Sequence, residues 1–524
     1  MIGIFRDRDE KMKRPNILFA FADDWGRYAS AYRRFESENS LNNLIETPNF
    51  DRVAKEGVIF TNAFVQAPSC TPCRSSILSG QYFWQTGLGA ILTGAVWDER
   101  IPSYPLELEK AGYHIGYTYK VWSPGRTKNA PYGAERTRYE PAGDKFWHFS
   151  QNVTKLVPEM GVEAAKEVIY DETRQNFRAF LNARKDGQPF CYWWGPMNTH
   201  RQWERGSGKA LWNIDPDTLK GRMPAFIPDT HDIREDFADY LGECMAVDGG
   251  LGVLMKELEN IGELDNTLIV VSGDHGIPGF PRAKCNLYDI GCEVALAMRW
   301  PGRIKPGRTV EDFVSLMELA PTFMEAAGEP ITKTMTAKSL MPVLVSEKSG
   351  QIELERTFVI LGRERHAATA REGNLPYPQR ALRTKDFLYI RNFAPDRWPM
   401  GDPLGMDNLN ATPPPFEKIL SASNGLPYRD MDPSPTKAWM VHHRSDDDVR
   451  ELFELAFGKR PAEELYDLRK DPYYMNNVAN LPEYKSVLEE LSVKLMNLLK
   501  EQNDPRVCEA VCRFEHAPYT NEKN

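Results

Sequence analysis

The feature that most constrains this fold is a regular alternation of short apolar runs and helical patterns over the first two thirds of the chain. The apolar runs are rich in β-branched and aromatic residues, and they predict buried strands at 16–22, 58–66, 114–119, 190–195, 267–272 and 294–300. The segments between them predict helices at 47–56, 103–111, 162–183, 233–261 and 314–327. This alternation is typical of an α/β fold in which helices cover both faces of a mostly parallel sheet.

The last third of the chain has a different pattern. Residues 371–435 are rich in Pro, Asn and Asp, residues 381–393 alternate like an antiparallel strand or hairpin, and residues 482–501 have apolar side chains at helical spacing. We therefore expect a larger α/β domain at 14–370 and a smaller C-terminal α+β subdomain at 371–524. A length of 524 residues is consistent with that division.

Net charge and hydropathy limit the classes of partner that this chain can bind. The net charge of −9 provides no basic surface for nucleic acid. No apolar run approaches the roughly 20 residues of a membrane helix, and the run 17–22 lacks the length and cleavage site of a signal peptide. We expect neither nucleic acid nor a membrane as partner and, on the literal sequence, a cytoplasmic location. A leader trimmed earlier would leave the same sequence, so the compartment stays open.

Chemically active residues follow the predicted strands at their carboxyl ends, where α/β sheets bind ligands. Each residue alone is as consistent with an ordinary turn or surface position. Two adjacent carboxylates after a strand suit Ca²⁺ or Mg²⁺, and lysine and histidine suit an anion. Together the set predicts a divalent metal beside a basic cradle for a tetrahedral anion: Asp23, Asp24, Lys120, His200, Asp274, His275 and Lys284.

The segment 70–74, Cys-Thr-Pro-Cys-Arg, predicts the start of another helix. Pro72 in the first turn places Cys70 at the positive end of the helix dipole, where backbone N–H groups favour an anion. The spacing of Cys70 and Cys73 also fits a redox pair or half a zinc site. A redox pair is expected in a smaller thioredoxin-like unit, however, and a zinc site needs a second close pair of ligands.

The pattern Cys70-x-Pro72-x-Arg74, followed by Leu78-Ser79-Gly80, resembles the signature of type I sulfatases, in which the cysteine is oxidised to formylglycine. Other motifs of that family occur in the same order: Pro15-Asn16-Ile17, Thr47-Pro48-Asn49-Phe50, Gly112-Tyr113, Asp274-His275-Gly276, Tyr288-Asp289, Trp300-Pro301-Gly302, Glu464-Leu465-Tyr466-Asp467-Leu468 and Asp471-Pro472. Local runs are most similar to the sulfamidase (N-sulfoglucosamine sulfohydrolase) branch: His200-Arg201, Gly276-Ile277-Pro278 and Asn286-Leu287-Tyr288.

The resemblance implies an alkaline-phosphatase-like fold and hydrolysis of a sulfate ester or N-sulfate, on a glycan or a small sulfated compound. Hydrated formylglycine would offer one hydroxyl to attack sulfur and a second whose deprotonation expels sulfate. A maturation enzyme that generates formylglycine would be a partner. The implied catalytic residues are Cys70, Arg74, Lys120, His200 and Lys284. The implied substrate-binding residues are Lys120, His200, Lys284 and Arg201. The implied ligands of Ca²⁺, with Mg²⁺ second, are Asp23, Asp24, Cys70, Asp274 and His275.

Three positions depart from the family pattern. Lys120 is followed by Val121 and Trp122, so a histidine often found two residues on is absent and the base for the elimination step has no candidate. Trp122 could instead stack on a sugar. Cys73 stands where serine is commonest, and His275 where many members have asparagine.

Two alternatives remain open on the sequence. One is a phosphonate monoester or phosphodiester hydrolase of the same superfamily. The other is a non-catalytic protein that binds sulfated glycans and leaves Cys70 unmodified.

Overall fold

A seven-stranded sheet forms the centre of the larger part of the protein, seen in a computed structural model that describes residues 14–421 and 425–518. The strand order is β4-β5-β1-β6-β7-β2-β8, with β7 antiparallel to both neighbours and the other pairs parallel. Two short strands, β3 and β9, pair separately. The strands of these sheets are β1 Asn16–Ala22, β2 Val58–Phe60, β3 Ala63–Phe64, β4 His114–Tyr119, β5 Phe190–Gly195, β6 Thr267–Gly273, β7 Leu296–Arg299, β8 Arg308–Val310 and β9 Val314–Ser315.

An antiparallel sheet of order β10-β11-β12-β13 completes the fold. Its strands are β10 Phe358–Arg363, β11 Gln379–Thr384, β12 Phe387–Asn392 and β13 Glu463–Asp467. The helices are α1 Pro48–Glu56, α2 Cys70–Ser79, α3 Tyr104–Lys110, α4 Phe149–Met160, α5 Val162–Ala183, α6 Ser207–Trp212, α7 His231–Asn260, α8 Asp289–Cys292, α9 Leu319–Ala326, α10 Met341–Val345, α11 Phe416–Leu420, α12 Pro435–His443, α13 Arg450–Phe457, α14 Lys485–Glu501 and α15 Pro505–Cys508.

Strand β1 shows why the central sheet needs cover on both sides. All seven of its residues are buried. Successive side chains point to opposite faces, so Phe19 and Phe21 enter one hydrophobic cluster while Leu18 and Ala20 enter the other. The predicted α/β fold with a mostly parallel, two-sided sheet is therefore confirmed. Among the described residues, no helix is long and apolar enough to cross a membrane.

Two predicted elements differ from those observed. The extended run 58–66 is divided into β2 and β3 by a bend at Thr61 and Asn62, where Thr61 donates its N–H to Val310. The segment 314–327 begins as β9 instead of a helix, because Val314 pairs with Ala63 of β3. A capping box of Ser315 and Glu318 then starts the helical turns that lead into α9.

The C-terminal sheet confirms the predicted hairpin, since 381–393 falls in the antiparallel pair β11 and β12. Its first strand, β10, precedes residue 371, and one hydrophobic cluster contains side chains of both large sheets, such as Ile17 and Leu382. The division at residue 371 stays a prediction. Residues 1–13, which precede the run 17–22 considered above as a signal peptide, lie outside the described residues.

Candidate active site

The carboxyl ends of the central strands place most of the predicted site residues together. Asp24, just after β1, has a left-handed backbone (φ 63°), and its N–H donates to the Asp274 carboxylate after β6 at 2.7 Å. Gly273 ends β6, where a Cβ atom would lie 1.9 Å from the carbonyl oxygen of Trp25. Only glycine allows the two loops to approach this closely.

Four buried side chains converge on one point: Asp24, Cys70, Asp274 and His275 offer ligand atoms that all lie within 4.8 Å of one another. His275 Nε2 is 3.2 Å from Asp24 Oδ1 and 3.5 Å from Asp274 Oδ1. The Nδ1 atom of His275 lies 3.2 Å from the Gly276 carbonyl, to which it donates, so Nε2 keeps its lone pair for a ligand. Two carboxylates and an imidazole in this arrangement fit a divalent cation.

Asp23 stands apart from those four. Its carboxylate accepts from Lys120 Nζ at 2.8 Å on both oxygens and from Arg74 Nη2 at 3.0 Å. Burial would raise the pKa of Asp23, but Lys120 and Arg74 outweigh it and hold that pKa well below its usual value. The predicted role of Asp23 as a metal ligand stays a prediction.

Arg74 connects the helix of Cys70 to three strand ends. Its guanidinium is completely buried and donates to Asp274 at 2.9 Å and to Asp23 at 3.0 Å. It also donates to the carbonyl oxygens of Lys120 and Val121, both at 3.1 Å. A lysine could not satisfy this fork of acceptors.

Cys70 is the first residue of α2, as the sequence predicts, and it is 2% exposed. Its Sγ lies 3.4 Å from His275 Nε2 and 4.0 Å from Asp24 Oδ1. Burial, together with Asp23, raises the pKa of the thiol well above its ordinary value. An unmodified Cys70 is therefore a neutral thiol and a poor nucleophile.

Cys73 does not share the ligand group of Cys70. It is 1% exposed and belongs to the hydrophobic cluster on one face of the sheet. Both cysteines are free thiols. Among the described residues, therefore, this C-x-x-C forms neither a disulfide nor a ligand pair.

Lys284 and His200 complete the basic side of the site. Lys284 Nζ donates to Asp24 Oδ2 at 2.9 Å, and His200 Nε2 lies 4.0 Å from the same oxygen. Burial, reinforced by Lys284, lowers the pKa of His200. His200 is thus neutral, and because Nδ1 donates to the Arg201 carbonyl at 2.8 Å, its Nε2 carries the free lone pair.

Arg201 turns away from this group toward a buried acid. Its guanidinium donates to both carboxylate oxygens of Asp236, at 2.7 and 2.9 Å, and to the Pro278 carbonyl at 2.9 Å. The expected substrate contact of Arg201 stays a prediction.

Trp122 occupies a tight position behind the nucleophile helix. Its Nε1 donates to Ser75 Oγ at 2.8 Å, its ring meets Trp97 edge to face, and the residue is 7% exposed. Little of the ring is open for stacking on a sugar. Trp122 cannot act as the base of the elimination step, because its indole N–H only donates.

Two residues near the site were missed by the sequence reasoning. His366 Nδ1 lies 2.8 Å from the hydroxyl of Ser69, the residue before Cys70. Asp432 Oδ2 lies 3.5 Å from Lys284 Nζ. Neither belongs to a periodic segment or a motif, and both reach the site through contacts between residues far apart in the chain.

Comparisons with known proteins agree with this geometry. Residues 15–329 match the family model described as Sulfatase, and residues 274–403 match the model described as N-sulphoglucosamine sulphohydrolase, C-terminal. The human N-sulphoglucosamine sulphohydrolase is 27% identical, with 97% of this chain and 93% of that protein covered. An ulvan-active sulfatase of Formosa agariphila is 26% identical, with 92% of this chain and 74% of that protein covered.

The fold is likewise similar to that of a solved structure, a protein in complex with its substrate D-glucosamine-2-N,6-O-disulfate. The TM-score is 0.61 at 20% identity, and 95% of this chain and 100% of the other are covered. The family match favours sulfate over phosphonate chemistry and an enzyme over a binding protein. Since the first family model covers more than half of the residues and the active-site motif lies within it, the chain belongs to the sulfatase family of sulfuric ester hydrolases.

Proposed function

We propose that this protein hydrolyses the sulfate ester or N-sulfate of a sulfated glycan or amino sugar, with formylglycine made from Cys70 as nucleophile and Ca²⁺ as cofactor. One observation carries the proposal. Cys70 is the first residue of α2, and its Sγ lies 3.4 Å from His275 Nε2 and 4.0 Å from Asp24 Oδ1, within a group of buried carboxylates and cationic side chains. The match of residues 274–403 to the sulphoglucosamine model supports an amino-sugar substrate.

The cation would be held by Asp24, Asp274, His275 and the side chain at position 70, with Asp23 as a further oxygen donor. Oxygen-rich ligands favour Ca²⁺, which tolerates an irregular set better than Mg²⁺ does. When bound, the cation neutralises charge on sulfate oxygens and lowers the pKa of hydroxyls at position 70. A formylglycine-generating enzyme is the partner that this proposal requires.

The lysines bind the sulfate group. Lys120 and Lys284 pair with Asp23 and Asp24 in the structure, and their opposing charges hold both ammonium pKa values above the ordinary value despite burial. With the charge of the carboxylates shared with a bound cation, both ammonium groups would be available to sulfate oxygens, where charge develops during attack. Arg74 keeps Asp23 and Asp274 in place throughout.

His200 handles the proton of the leaving group. Its neutral Nε2 takes up the proton that the attacking hydroxyl at position 70 loses, and the resulting imidazolium donates that proton to the oxygen or nitrogen that leaves sulfur. Nδ1 stays fixed on the Arg201 carbonyl, which keeps Nε2 directed into the site.

The test combines one modification assay with one pair of substrates. Mass analysis of the tryptic peptide 56–74 should show conversion of the Cys70 thiol to an aldehyde, and Cys73 in the same peptide serves as the unmodified control. The protein should then release sulfate from an aryl sulfate and from glucosamine N-sulfate far faster than phosphate from the matched aryl phosphate. An unmodified Cys70 in active protein, or faster phosphate release, contradicts the proposal.

A further inference from the structure

A fourth carboxylate, Asp432, lies beside Asp23, Asp24 and Asp274 at the site, and the proposed sulfate chemistry gives it no role. Lys284 Nζ lies 2.9 Å from Asp24 and 3.5 Å from Asp432, so Asp432 adjoins an ammonium group that also touches a candidate metal ligand. The Asp432 Oδ2 atom is buried and accepts no hydrogen bond, while 18% of the side chain remains open.

The segment that presents Asp432 is fixed by buried charges. Asp430, two residues earlier, pairs with Arg363 and with Arg371 at 2.7 Å and accepts from the N–H of Ala367 at 2.9 Å. Breaking such buried pairs is costly, which keeps the carboxylate in one place.

Lys437 on α12 holds the same segment from the other side. Its completely buried ammonium group donates to the carbonyl oxygens of Gly425, Tyr428 and Met431 at 2.7, 3.0 and 2.8 Å. Met431 directly precedes Asp432, so the position of the carboxylate is pre-organised without any bound molecule.

Asp432 is also an anion. Burial would raise the pKa of Asp432, but the ammonium group of Lys284 outweighs it and holds that pKa well below its usual value. An anion beside a sulfate site repels the sulfate unless it contacts another part of the substrate. Because an ionised carboxylate only accepts hydrogen bonds, that part must carry O–H or N–H donors.

We propose that Asp432 is a specificity-determining residue that accepts a hydrogen bond from the leaving group, and so selects sugars bearing hydroxyl or amino donors over aryl alcohols. This inference rests on the proposed sulfatase function and names the class of leaving group. Lys284 contacts both Asp432 and Asp24, and His200 Nε2 lies 4.0 Å from Asp24, so the Asp432 carboxylate lies on the side of the site that holds the group that would protonate the leaving atom.

The test is a change in preference between two substrates. In Asp432→Asn, the ratio of kcat/KM for glucosamine N-sulfate to kcat/KM for 4-nitrophenyl sulfate should fall about 10- to 100-fold, the range for one hydrogen bond to a charged group. Asp447→Asn, at a carboxylate whose side chain is 98% exposed, is the matched control and should keep the ratio. An unchanged ratio in Asp432→Asn, whether or not both rates fall, overturns the inference.

A binding measurement separates this inference from the proposed function. Calorimetry on Cys70→Ala with Ca²⁺ present should show that Asp432→Asn weakens glucosamine N-sulfate by a similar factor and does not weaken inorganic sulfate, which has no donors to offer. That result supports the inference even if wild type hydrolyses neither substrate, an outcome that would reject only the proposed function. Equal effects on both ligands overturn the inference, and thermal melting establishes that the variant is folded.

Discussion

Removing Asp236 should destabilise the protein far more than removing its neighbour Glu235 on the same helix. Asp236 accepts both arms of Arg201, and the two side chains are 3% and 5% exposed. Asp236 also accepts from Thr436 Oγ1 at 2.6 Å, which ties α7 to α12. In Asp236→Ala, the buried Arg201 guanidinium would keep only its bond to the Pro278 carbonyl, and the buried Thr436 hydroxyl would lose its carboxylate acceptor.

The magnitude follows from burial. Breaking a buried ion pair by deleting one partner costs about 3–5 kcal/mol. Unfolding entropy of about 2.1 cal/mol/K per residue gives about 1.1 kcal/mol/K for 524 residues, so the melting temperature should fall by about 3–5 °C.

Glu235 supplies the control. It pairs with Arg205 at 2.6 Å, but that arginine is 61% exposed, and exposed pairs contribute about 0–1 kcal/mol. Glu235→Ala should therefore shift the melting temperature by less than about 1 °C. Calorimetric or fluorimetric melts of both variants check the difference, and equal shifts would refute the reasoning from burial.

A double variant then decides what Arg201 does. Arg201→Met with Asp236→Leu replaces the buried pair by apolar side chains and should recover most of the lost stability. If Arg201 also binds substrate, the re-stabilised double variant should have a higher KM than wild type. An unchanged KM would show that Arg201 has only a structural role.

Three further outcomes are expected. Ca²⁺ at about 100 times its Kd should stabilise the chelated protein by about 2.7 kcal/mol, or about 2–3 °C in melting temperature, and this shift should be absent in Asp24→Asn; an equal shift in both proteins would contradict the assigned ligands. Cys70→Ala should abolish sulfate release without lowering the melting temperature by more than a few degrees, whereas Cys73→Ser should retain activity; near-wild-type turnover of the first would end the formylglycine assignment. Burial lowers the pKa of His366 to about 3, below its unfolded value near 6.5, so this group contributes stability that is present above about pH 6.5 and is lost as pH falls from there toward 3. The loss approaches about 1.4 kcal/mol per pH unit. The difference between the urea midpoints at pH 7 and pH 5 should therefore be smaller in His366→Asn than in wild type, and an equal difference in the two proteins would contradict this.

The strand ends could be predicted because local pattern determines them. Apolar runs such as 16–22 and 190–195 correspond to β1 and β5 residue for residue, and the carboxyl ends of parallel strands meet at one edge. Asp24, Asp274 and His275 therefore fall together without any knowledge of tertiary contacts. Cys70 could be placed at a helix start because Pro72 marks the first turn.

The other side of the site could not be predicted in this way. His366 and Ser69 are 297 residues apart, and the segment with Asp432 has no periodic pattern that fixes its path. The pairing of Arg201 with Asp236 could not be predicted either. Asp236 lies within a helix whose periodicity indicates that the side chain is buried but does not indicate which charged side chain it contacts. Long-range pairing of buried charges, unlike strand formation, leaves no local signal.

The charges around Cys70 link cation binding to anion binding. Asp23, Asp24, Asp274 and Asp432 face Arg74, Lys120 and Lys284, so with all of them ionised these seven side chains carry a net charge of −1 before any ligand arrives. A divalent cation alone would leave one positive charge among them, which a singly charged sulfate ester would cancel. Free sulfate, a dianion, would also be attracted to that positive charge. Metal and sulfate should therefore each tighten the binding of the other, and the reaction product should compete with substrate for the charged site it leaves.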